Sequence, residues 1–181
     1  MRRVSFSGDQ KTIQDVWEWY ECLRKLSTGK KAKLLSDIEH NRPATDPTFV
    51  GMTPEEVDEF FRELDYVTML DLLAAGEAAI RIDFLNRVYN RGKDSVSKRF
   101  REIYQAKGSQ AALDEDILET WKELKPGTKQ KVGGFNGALN LRHWLAHGRY
   151  WTPRLGRDYS PGDIYDIAYD LLVAIGLLPK S

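Results

Sequence analysis

Apolar residues in this chain recur at helical spacing in nearly every segment, and the two-residue alternation that a half-buried strand needs is almost absent. That pattern points to an all-α fold. Ile13, Val16, Trp17, Tyr20 and Leu23 form one stripe, and Leu34, Leu35 and Ile38 a shorter one. Residues 41–52 hold Pro43, Pro47 and Gly51 and read as a loop. Thr53-Pro54-Glu55-Glu56 is then a helix start. Threonine can accept from the third backbone N–H, proline suits the first helical position, and Glu56 can reach back.

A long helix is predicted over residues 65–90, with Leu70, Leu73, Ile80, Phe84 and Val88 on one side. Gly92 breaks it, and Asp94 caps a helix carrying Val96, Phe100, Ile103 and Tyr104. Leu113, Ile117, Trp121 and Leu124 continue the pattern to a Pro126-Gly127 turn. A penultimate helix is expected to start after Gly133-Gly134. Ser160-Pro161-Gly162-Asp163 caps the last helix, with Ile164, Ala168, Leu171, Leu172 and Ile175 inward and Gly176 and Pro179 at its end. The expectation is one domain over 1–181, a helical bundle with a core over 53–181 and an N-terminal helical arm and loop over 1–52.

The chain has 27 basic and 27 acidic residues, so no global field draws it to nucleic acid or membrane. Its charges are nevertheless segregated. Residues 55–77 carry eight acids against one base, residues 81–107 eight bases against three acids, and residues 142–157 four arginines and no acid. A basic surface beside the penultimate helix would serve as a phosphate track. Cys22 is the only cysteine, which excludes an intrachain disulfide and suits a reducing compartment. MRRVSFSGDQ has no apolar run behind it, and the longest apolar stretch, residues 171–178, falls far short of the ~20 residues a membrane span needs. A soluble, cytoplasmic protein without a membrane partner is expected.

The chemistry-bearing segment is LRHWLAHGRYW, residues 141–151. Placed on a helix at about 100° per residue, Leu141, Trp144, Leu145, Gly148 and Trp151 share the core side. Arg142 and Arg149 line one flank, and His143 and His147, one turn apart, line the other. Tyr150, Arg154, Arg157 and Tyr159 add cations and rings downstream. Imidazole can take a proton from a ribose 2′-hydroxyl and imidazolium can return one to a leaving oxygen, while the arginine fork holds a phosphate. Phosphodiester cleavage needs no metal on these terms. The plain alternative is a His pair and arginines that only solvate a helix flank. A zinc site on His143 and His147 is a different answer. It lacks the glutamate of an H-E-x-x-H helix, Trp144 standing there, and only His40, Cys22 or an acid could complete it.

Arg142-His143-Trp144-Leu145-Ala146-His147 resembles the R-x-x-x-x-H motif of the HEPN superfamily, with a polar residue after the arginine and an Ala-His-Gly ending. The all-α chain, the motif near the C-terminal end and one amphipathic helix after it fit the same resemblance. It implies a HEPN-like core and a metal-independent endoribonuclease without cofactor, acting on RNA in a toxin–antitoxin or antiviral setting. Arg142 and His147 would be catalytic, His143 would occupy the variable polar position, and Arg149, Tyr150, Arg154 and Arg157 would bind RNA. It also implies a homodimer with two motif helices across one cleft, and an antitoxin or nucleotidyltransferase partner. Arg142 and His147 are five apart, so one helix aims them about 140° apart, and the second copy would supply what one helix cannot. Glu77 sits on an apolar stripe where a charge needs a partner. Arg81 is one turn on; Glu77 or Asp83 could instead orient a motif residue, as acids do on the facing helix of some HEPN proteins. Other members of the superfamily lack catalysis and act as nucleotide-binding, nucleic-acid-binding or scaffold modules, the alternative reading here.

Overall fold

The computed structural model describes residues 3–43 and 46–179 and is all-helical, with no strand among them. Six α-helices follow in order: α1 Ile13–Glu39, α2 Pro54–Tyr89, α3 Ser95–Lys107, α4 Glu119–Leu124, α5 Lys129–Ala146 and α6 Pro161–Ile175. A π-helical turn, Leu113–Leu118, runs directly into α4. No described helix is long and apolar enough to cross a membrane.

Local chemistry sets most of the starts. Thr12, Thr53 and Ser160 each complete a reciprocal capping box, with Asp15, Glu56 and Asp163 reaching back, and Asp94 caps α3. The helical hairpin α1–α2 is antiparallel, held by Tyr20 Oη donating to Asp65 at 2.7 Å and by the Lys31–Asp58 ion pair at 2.7 Å. The main core is built from α2 to α6 around Phe100, Trp121 and Phe135, and the start of α1 reaches it through Ile13 and Val16. A smaller cluster, Leu34, Phe49 and Val57, joins the end of α1 to the loop and the start of α2.

Three expected boundaries move. The helix placed at 65–90 has no start at Asp65: α2 is continuous from Pro54, because Val57, Phe61, Leu64 and Thr68 keep one face inward through the acid-rich stretch. The helix expected after Gly133-Gly134 begins at Lys129 and runs through both glycines, anchored by buried Val132, Phe135 and Ala138. The motif helix ends at Ala146, so Gly148 and Trp151 are not on its core side. Gly148 takes φ +79°, its N–H directed to Leu145 O and the Arg149 N–H to Trp144 O, the hydrogen-bond pattern of a Schellman stop. Trp151 lies beyond that stop, its carbonyl accepting from Trp144 Nε1 at 2.7 Å.

Candidate active site

The buried face of α5, Val132, Phe135, Ala138 and Leu141, packs among α2, α4 and α6. The adjoining face carries Asn136, Asn140, His143 and His147 at 4-3-4 spacing, one stripe along the helix. Asn136, Asn140, Arg142 and His143 line a cleft of about 640 Å³ whose opposite wall is Glu77 and Arg81 from α2. Asn136 and Asn140 went unnoticed in the sequence argument, although their register with the two histidines was there to be read.

Glu77 is the centre of charge. Its carboxylate accepts from Arg81 Nε at 2.8 Å and stands 3.4 Å from Arg142 Nη2. Glu77 therefore pairs within its own helix and also touches a motif arginine. Arg81 further donates to Ala111 O at 3.1 Å, which ties the segment before the π-turn to the cleft. Three buried side-chain atoms among the described residues have no hydrogen-bond partner: Trp121 Nε1 in the core, and Asn136 Oδ1 and Arg142 Nε on residues that line this cleft.

Asp83 does not belong here. Six residues beyond Glu77, it points about 120° away around α2. Both its oxygens accept from Arg87 Nε, at 2.9 and 2.8 Å, and burial raises its carboxyl above the usual range against the pull of that guanidinium. It supports the α2–α3 junction, where Arg87 also reaches Asp94 and lies over the Trp121 ring.

The histidines form a pair. The rings of His143 and His147 are 4.3 Å apart between centroids, tilted by 54°, and His143 also stands 5.7 Å from Trp151. His143 lines the cleft; His147, at the helix C-cap, does not, and reaches it only through His143. Arg142 and His147 thus leave the helix in different directions, as their spacing requires. Among the described residues no group of three or more His, Cys, Asp or Glu side chains is arranged to hold a metal, so the pair finds no third ligand within them.

The downstream residues scatter. Arg149 does not share a flank with Arg142. It sits past the helix end at φ +59°, a left-handed backbone that costs a non-glycine residue about 1–3 kcal/mol. Its guanidinium is fixed by Glu63 at 2.7 Å and lies over the Tyr66 ring at 5.1 Å. Glu63 and Tyr66 are partners that only the fold reveals. Tyr150 is 83% exposed, its ring against Trp151. Arg154 is exposed, while Arg157 stacks over Tyr159 at 4.6 Å beside a different hollow, over the Gly133, Gly134 and Gly137 side of α5. One continuous basic track beside the motif is therefore not formed: Arg81 and Arg142 share Glu77, Arg149 pairs with Glu63, and Arg157 belongs to another face.

Compared with known proteins, the chain matches no family model, no curated protein and no solved structure.

Proposed function

We propose that the chain is a metal-independent endoribonuclease of HEPN type, working in a toxin–antitoxin or antiviral context. The observation that carries this reading is the juxtaposition on one helix end: Arg142 and His143 on the wall of a cleft, with the His147 ring 4.3 Å behind His143. In the proposed reaction the 2′-hydroxyl of the substrate attacks the adjacent phosphorus. Its proton passes to an imidazole, the 5′-oxygen leaves with a proton from an imidazolium, and a cyclic phosphate remains. His147 is assigned the proton and Arg142 the phosphate charge; His143 positions its neighbour and the substrate. A second copy of the chain would set two such helix ends across one cleft, bringing an imidazole to a phosphate held by the other copy's arginine. The test is incubation of single-stranded RNA in EDTA. Cleavage is expected, and a single 2′-deoxy nucleotide at the cut should abolish it there. Activity on the deoxy substrate, or only with added metal, overturns the mechanism.

One observation favours the second reading, a catalytically silent HEPN module that binds nucleic acid or a nucleotide, or acts as a scaffold. Glu77 already pairs with both Arg142 and Arg81, and Glu63 with Arg149. Retention of RNA without any cleavage by the wild-type dimer would select it.

A further inference from the structure

A second cleft, of about 790 Å³, lies on the far side of the α1–α2 hairpin, where the start of α6 closes one end. Its volume is in the range of small-ligand sites. The antiparallel register of the hairpin fixes who faces whom. Tyr20 meets Asp65 and Lys31 meets Asp58, so the level between them sets Arg24 of α1 opposite Arg62 of α2. Of the two acids of the cleft, Asp58 is paired with Lys31, while Asp65 keeps its negative charge and accepts from the Tyr20 hydroxyl, whose proton burial and that carboxylate hold up to about 12. Neither Arg24 nor Arg62 has an ion pair or side-chain hydrogen bond with any described residue. Two arginines thus line one concave surface without an acid paired to either, and an anion placed there would gain from both.

The rest of the cleft says which anion. Seven residues, about 10 Å of helix rise, separate Arg24 from Trp17 at the α6 end. The Trp17 ring is half-buried, braced by Tyr20 at 5.5 Å and Tyr165 at 4.8 Å between centroids. Its edge approaches Gly162, where a Cβ would sit 3.9 Å from Trp17 Cη2. A flat aromatic platform one nucleotide's length from a two-arginine clamp suits a ligand with a planar base at one end and phosphates at the other.

We propose that this cleft binds a nucleoside polyphosphate, with Arg24 and Arg62 clamping the phosphates and Trp17 carrying the base. The site is separate from the motif face and does not rest on the nuclease reading. The test is calorimetric titration of the full chain with ATP, tripolyphosphate and adenosine in EDTA. ATP is expected to bind more tightly than tripolyphosphate, and adenosine not measurably. Arg24→Gln and Arg62→Gln should each weaken ATP by about tenfold or more, the loss expected for a charge-assisted contact. Both side chains are exposed, so neither variant disturbs the core, and circular dichroism checks that the fold is kept. Trp17→Phe should narrow the preference for ATP over tripolyphosphate, and Arg142→Ala should leave ATP binding unchanged. Absence of ATP binding, equal binding by the Arg24→Gln/Arg62→Gln double variant, or loss of binding in Arg142→Ala overturns the proposal. An RNA cleavage assay on the arginine variants is independent of it, so failure here and failure of the nuclease reading are separately visible.

Discussion

Glu77 Oε2 lies 3.4 Å from Arg142 Nη2 while its other oxygen accepts from Arg81 Nε, so one carboxylate of α2 holds a guanidinium from its own helix and one from the motif helix. The pair crosses the α2–α5 interface and sets which way Arg142 leans. It also places a negative charge in the cleft where the proposed substrate is an anion.

Those two effects have opposite signs for binding and turnover. Glu77→Gln removes the charge and loosens Arg142. RNA binding should tighten severalfold while single-turnover cleavage slows by about tenfold, since a misplaced stabiliser forfeits part of its contribution. The half-exposed ion pairs lost should cost about 1 kcal/mol of stability. Filter binding and single-turnover cleavage on one preparation read both; a faster Glu77→Gln enzyme would show that the carboxylate only inhibits.

Unequal roles for the motif side chains give a second prediction. Arg142→Ala and His147→Ala should each reduce cleavage by ~10² to 10⁴. His143→Asn should keep much of the activity, because Asn still offers hydrogen bonds in the cleft but cannot titrate. A dead His143→Asn beside an active His147→Ala would reverse the assignment. His143's place on the cleft wall makes that reversal a real contest.

A homodimer is the third expectation, drawn from the divergent directions of Arg142 and His147 and from the prevalence of two-fold pairing. Multi-angle light scattering at micromolar concentration should give twice the chain mass. A monomer that cleaves RNA would require Arg142 and a histidine of one chain to suffice.

The caps supply a pH dependence. Hydrogen bonds from Thr12, Ser97 and Ser160 hold the carboxyls of Asp15, Asp94 and Asp163 below the usual 3.8. Groups depressed on folding contribute stability that is present above 3.8 and lost as pH falls through their folded values. Asp83 runs the other way: its raised carboxyl favours the folded state at acid pH, and that advantage disappears as pH rises through its folded value. Thermal melts from pH 6 to pH 2 should show falling stability. Asp83→Asn should steepen that fall by removing the opposing slope, while leaving any cleavage activity unchanged. Reduced cleavage in Asp83→Asn would return that residue to the site.

Much of the bundle was legible because its signals are local. Thr53, Asp94 and Ser160 announce helix starts in three or four residues and Gly176 announces a stop, whereas Gly148, read as part of the motif helix, ends it. The misplaced start of α5 has the opposite origin. Two adjacent glycines are a poor local bet for a helix, and only burial of Val132, Phe135 and Ala138 outweighs them. The Glu77–Arg142 and Glu63–Arg149 contacts join residues 65 and 86 positions apart, so no spacing rule could reveal them. Spacing alone sets Asp83 and Glu77 on different sides of α2, but only the fold shows that Glu77 is the one facing the motif helix.

Gly133 and Gly134 have nothing within 4 Å of where a Cβ would stand, so alanine fits at both. The double substitution should raise stability by about 1–2 kcal/mol through helix propensity alone, read as a higher melting temperature without change at the cleft.

The same glycines bear on when the motif exists at all. A helix with such a centre has little inclination to form by itself, and α5 owes its shape to α2, α4 and α6 closing around it. Since α6 is the last of these to leave the ribosome, a nascent chain carries the arginine and both histidines in a segment with no fixed geometry until that final helix docks. Under the proposed reading, the motif would gain its geometry only once α6 has docked.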